Sequence, residues 1–175
     1  DKTFEGLMSA LGLVRVFENK SKSSVTFSEE GKTMYLMENP IFKNTGDTAF
    51  SPKEQEFVIN KLISKRELET NLINVAKGII EKKGGEDTIK DIEQSFQDEI
   101  LKFAERGSDS NTSTRLKNII KLTNDVIEKN SQNNNEVRKQ TAIEAVRIAT
   151  LGRMTELSMI NWDANGKKSI YTIVD

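Results

Sequence analysis

The chain has 175 residues, of which 35% are hydrophobic and 30% charged, with a mean hydropathy of −0.55. Lys and Arg number 26 against 27 Asp and Glu, a net charge of −1, which excludes a globally basic nucleic-acid binder but not a local basic face. Cys and His are both absent, which removes disulfides, thiolate chemistry, the commonest general base and the commonest zinc ligand.

No apolar run reaches the ~18 residues that a membrane helix requires, so no membrane partner is expected. Asp1, Lys2 and Glu5 crowd the first apolar stretch, which does not read as a signal peptide. The expected compartment is the cytoplasm.

Apolar residues at 4, 7, 8, 11 and 14 predict a helix at the start of the chain. Val14–Phe17 and Val25–Phe27 are β-prone and predict a hairpin with a polar tip bearing Lys20 and Lys22. Ser28 is a helix cap, followed by Glu29 and Glu30 where the helix dipole favours carboxylates. That helix is expected to run to about Glu38, before Asn39-Pro40. The turn-rich 43–49 loop follows. Ser51, Pro52 and Glu54 form a capping box for the next helix. Core spacing then runs through Phe57, Val58, Leu62 and Ile63, and from Leu68 through Leu72, Val75, Ile79 and Ile80, up to Gly84-Gly85. One bent helix and two separate helices both fit this spacing.

Further helices are predicted over 88–106, 114–129 and 136–158. The last gives way to β-prone Met159–Trp162, the Asn165-Gly166 hairpin signal, and an alternating strand from Ser169 to Val174.

Two pieces of the chain are alike. Leu7–Val16 aligns without gaps with Arg153–Trp162, matching Met8 with Met154, Leu11 with Leu157, Leu13 with Met159 and Val14 with Ile160. Each piece is a helix end, a tight apolar turn, a strand, a lysine-bearing tip and a return strand. Gly12 suits the reversal because it tolerates left-handed φ; Ser158 holds its place in the second copy.

This pattern resembles the winged helix-turn-helix superfamily, in which the third helix ends in a leucine-rich turn and a β-hairpin wing follows directly. Met37–Phe42 before an acidic helical segment resembles archaeal tandem winged-helix proteins. The C-terminal copy is the fuller one, although the short strand expected between its first two helices is not evident in the polar 107–113 run. The N-terminal copy has no first or second helix. Leucine-rich helix ends followed by hairpins also occur in other α+β domains.

The fold expected is therefore mainly α with two small β-hairpins, a tandem winged-helix arrangement linked by helices. Its parts are an N-terminal unit at 1–42, linking or dimerisation helices at 43–85, and a C-terminal winged-helix domain at 86–175. The resemblance implies a DNA-binding transcriptional regulator, a homodimer, whose third helix and wing contact duplex DNA. The candidate contacts are Arg138, Lys139, Arg147 and Arg153 on the long helix, Lys167 and Lys168 at its wing, and Arg15, Lys20 and Lys22 at the N-terminal wing. Arg147 lies off the apolar stripe and is expected to point outward. Arg115, Lys117 and Lys121 are further phosphate candidates. Each of these also reads as an ordinary surface charge.

Carboxylate pairs such as Asp98/Glu99 read as solvated helix faces, and no calcium loop, phosphate cradle or nucleophile elbow is present. No cofactor, metal or catalytic residue is expected. The alternative function is a non-catalytic protein-docking module of a larger assembly. A basic stripe on the folded chain favours DNA; a mixed-charge third helix with an exposed apolar patch favours docking.

Overall fold

The computed structural model describes residues 11–19, 22–39, 48–83, 88–107, 109–132, 138–165 and 168–174. The helix predicted at the N-terminus lies largely outside them. The chain divides into two compact units, 1–67 and 68–175, with the boundary inside the stretch expected to link two domains. The structure is mainly helical, with two antiparallel two-stranded hairpins.

In the first unit, β1 (Val14–Asn19) pairs with β2 (Lys22–Phe27), placing Val14 opposite Phe27 and Asn19 opposite Lys22. Ser28 leaves the hairpin and works in two directions. Its N–H donates to the Leu13 carbonyl at 2.9 Å, and its Oγ accepts from Gly31 N at 2.9 Å, capping α1 (Glu29–Tyr35). Gly31 is pressed against the hairpin entrance: a Cβ there would stand 1.9 Å from the Leu13 oxygen. The predicted capping box is present, with Ser51 Oγ accepting from Glu54 N and Glu54 Oε2 from Ser51 N, and it opens α2 (Pro52–Phe57). Glu54 also accepts from Asn39 Nδ2, which ties the segment that follows α1 to the cap.

The 51–83 stretch resolves into two helices. After α2 the chain passes through a π turn (Val58–Leu62) and a 3-10 turn (Ile63–Lys65), then turns extended at Arg66. Along this change of winding the neighbours Leu62 and Ile63 are both buried. Among the described residues of this unit, Leu11, Leu13 and Val58 are also buried.

The second unit opens with α3 (Glu67–Lys83), whose buried residues are Leu72, Ile73, Ala76 and Ile80. α4 (Ile89–Arg106) contributes a fully buried stripe of Ile92, Phe96, Ile100 and Ala104, and packs on α5 (Ser110–Gln132) and α6 (Ala142–Glu156). α5 starts four residues earlier than its apolar spacing predicts. Asp109 is the reason: its carboxylate accepts from Asn111 N and Thr112 N, both at 3.1 Å. The same hydrogen bonds, that from Thr112 Oγ1 first, hold the Asp109 carboxyl below its ordinary pKa.

α6 is shorter than the predicted 136–158 helix. Thr141 and Glu144 form a second capping box, and residues 138–140 lie outside the helix. Arg138 and Lys139 are therefore not on the third helix. Fully buried Thr123 joins α5 to this start, with Oγ1 donating to Ile119 O at 2.9 Å and accepting from Ile143 N at 3.2 Å. One hydroxyl thus satisfies an amide that a helix start leaves without an intrahelical partner.

α6 ends in a Schellman turn. Met159 N donates to Met154 O at 2.8 Å and Ser158 N to Thr155 O at 3.0 Å, with Ser158 in the left-handed region at φ 55°. Gly12, its counterpart before the first hairpin, has φ 69°. β3 (Ile160–Asn165) then pairs with β4 (Lys168–Ile173). The register is that of the first hairpin: Val14 and Phe27 become Ile160 and Ile173, each a step of 146 residues. The closing bond repeats as well, Val174 N to Met159 O standing for Ser28 N to Leu13 O.

Two substitutions test these turns. Ser158→Gly removes left-handed strain and is expected to stabilise the protein by about 1 kcal/mol, read as a higher urea midpoint. Gly31→Ala is expected to cost about 3 kcal/mol because backbone must move to admit the methyl. An unchanged midpoint for Gly31→Ala would contradict the packing described.

Candidate nucleic-acid interface

The cations expected to face DNA are not alike in the structure. Arg147, on α6, points inward. Its Nε donates to Glu93 Oε1 on α4 at 2.7 Å, with the two side chains 13% and 19% exposed. Arg153 forms an ion pair with Glu69 on α3, Nε to Oε1 at 2.8 Å and off the line of a good hydrogen bond. The two arginines fix α6 to helices on either side.

Arg138 pairs with Glu144, the capping-box carboxylate, while its own side chain stays largely in solvent. Lys139 is exposed, and its backbone is bound by Asn130, whose amide donates to Lys139 O at 2.9 Å and accepts from Lys139 N at 3.0 Å. Arg15 is exposed on β1. The Glu30 carboxyl is held below its ordinary pKa first by a backbone hydrogen bond, then by Lys65, with a smaller contribution from the charge of Arg15. Lys20 and Lys167 lie outside the described residues, as do the side chains of Lys22 and Lys168. Lys117 and Lys121 are exposed on α5, as is Arg115, which has a partner of its own.

With both arginines turned inward, the outer face of α6 is Ala145, Ile148, Ala149, Gly152 and Glu156. Ile148 is 50% exposed. That face carries no cation. Exposed cations include Arg138 and Lys139 before α6, and Arg115, Lys117 and Lys121 on α5. Each hairpin closes on an Asn–Lys pair, Asn19 with Lys22 and Asn165 with Lys168, around a two-residue loop holding one more lysine.

Of the two partners, Glu93 directly follows buried Ile92, whereas Glu69 lies between half-buried Leu68 and Thr70. The pairing across sequence cannot be read from spacing. The second capping box, Thr141 to Glu144, is legible as a Thr-x-x-Glu pattern before an apolar run.

Among the described residues, no group of three or more acidic residues is placed to hold a metal ion, and no helix is long and apolar enough to cross a membrane. A shallow groove of about 370 Å³ lies between α3 and α4. Three of the charges lining it are paired within the chain: Lys102 donates to Glu99, and Asp98 accepts from Gln94. No protein-family model, curated protein or solved structure matches the chain.

Arg147→Ala leaves Glu93 in a mostly buried position without its cation. A loss of about 2 kcal/mol of stability is expected, measured by urea denaturation. A wild-type midpoint would show that the pair does not hold α6.

Proposed function

We propose that the chain is a non-catalytic binder of duplex DNA, a transcriptional regulator that holds the phosphate backbone with its two wings. One observation supports this reading: the chain builds the same left-handed turn and hairpin twice, in one register, and the sequence carries two lysines at each hairpin turn, Lys20 with Lys22 and Lys167 with Lys168. Phosphates need positive charge at a protruding point rather than a basic globule, which reconciles the net charge of −1 with the reading.

Arg147 and Arg153 serve as structural clamps here, not base contacts. Sequence preference, where there is any, then comes from the small outer face of α6, since Ala and Ile can contact a thymine methyl in the major groove. The proposed homodimer rests on the helices of 43–85. Of their apolar residues, Leu72, Ile73, Ala76 and Ile80 are buried, whereas Leu68, Val75 and Ile79 are half-buried.

A second reading, protein docking, is favoured by the exposed Ile148 amid Ala145, Ala149 and Gly152. A cation-free third helix with an apolar patch suits a protein partner.

Fluorescence anisotropy with a random-sequence duplex separates the two. Affinity is expected to fall steeply between about 50 and 200 mM salt. Replacing both lysines of one wing by Gln is expected to lower the log–log salt slope by about 2, close to one per phosphate contact. No binding at the lowest salt would remove the DNA reading and leave docking.

A further inference from the structure

The two wings share a register but not a surface. At the position of Val16 the C-terminal wing carries Trp162, and opposite it, at the position of Val25, it carries Tyr171. The Trp162 and Tyr171 rings lie nearly parallel, 16° apart, with centroids separated by 6.5 Å. Tyr171 is buried at 7% exposure, whereas Trp162 is 54% exposed. Burial of an indole is among the larger apolar gains open to a side chain, so a half-open Trp held in one orientation is a platform rather than a core residue. On its own face of the strand the next residue toward the tip, Ala164, is small and exposed. Trp162 stands three residues before Asn165, where the loop of Lys167 begins, about 10 Å along the strand.

We propose that Trp162 is a stacking site for an unpaired nucleobase, which makes the C-terminal wing a reader of single-stranded or locally opened nucleic acid; this rests on the nucleic-acid reading above. The chemistry is that of single-strand binders: an aromatic face takes the base while nearby lysines take the phosphates. Any base has a π-face, so the site selects unpaired over paired strands rather than one sequence over another. Tyr171 pre-orients the indole, so little side-chain freedom is lost when a base stacks on it. The N-terminal wing, with valines at both positions, has no such platform.

Trp162 is the chain's single Trp, so its emission reports the site directly. The full chain is titrated at low salt with three probes: an oligothymidylate of about 12 nucleotides, an abasic phosphodeoxyribose strand of equal length and charge, and a perfect duplex. Binding is followed by anisotropy of the labelled nucleic acid and stacking by Trp162 emission. The thymidylate is expected to quench the emission and the abasic strand to leave it unchanged. Trp162→Thr is expected to weaken thymidylate binding about tenfold without changing abasic binding, and Trp162→Phe to retain most of the affinity. A ring that only braces the hairpin would alter the melting temperature of Trp162→Thr but not the base-dependent affinity. Thymidylate binding with unchanged emission, or equal quenching by the abasic strand, overturns the stacking site. Duplex binding would still stand in either case. Quenching by thymidylate without duplex binding supports the stacking site and overturns the duplex reading. Absence of binding to all three probes overturns both.

Discussion

Both hairpins depend on one backbone constraint, the left-handed residue that stands two positions before each first strand. At Ser158 the chain leaves α6 through a Schellman turn, and Met159 begins the pairing that Val174 closes. At Gly12 the same left-handed backbone leads into β1, and Ser28 closes that hairpin while capping the next helix. Without positive φ at these two positions the strands would not start where they do. The non-glycine at 158 carries a strain of about 1 kcal/mol. Two hydrogen bonds at the turn and the burial of Met154, Leu157 and Ile160 offset it.

The second determinant is how α6 spends its charge. A helix followed by a wing is expected to turn its cations outward, but Arg147 and Arg153 are drawn in by Glu93 and Glu69. Charge pairs at this depth are strong because little water screens them. They hold α6 against α4 and α3, and what remains outside is small and apolar. The outer face of α6 is left without a cation, and the sequence carries two further lysines at the turn of each hairpin.

Much of this was legible in the sequence. The gapless match of Leu7–Val16 with Arg153–Trp162 foreshadowed the shared register, and capping chemistry at Ser28 and Ser51 placed two helix starts correctly. Ser158 looked like a departure from the pattern, yet it adopts the backbone conformation of Gly12, because the surrounding hydrogen bonds dictate φ there more strongly than residue preference does. The misplaced helix starts had a common cause. Asp109 and Thr141 are caps set before polar or mixed first turns, and apolar periodicity, which begins later or earlier, does not mark them. The inward turn of Arg147 was not legible, because it depends on a glutamate on another helix. A position off the apolar stripe can face solvent or face a neighbouring helix's flank, and spacing alone does not distinguish them.

The most direct test of wing-led binding is a map of backbone amide shifts on adding a short duplex. The account predicts that the perturbed amides concentrate at Asn19–Lys22 and Asn165–Lys168, with smaller effects on the outer face of α6. Perturbations confined to Ala145–Gly152, or none at either wing, would contradict it.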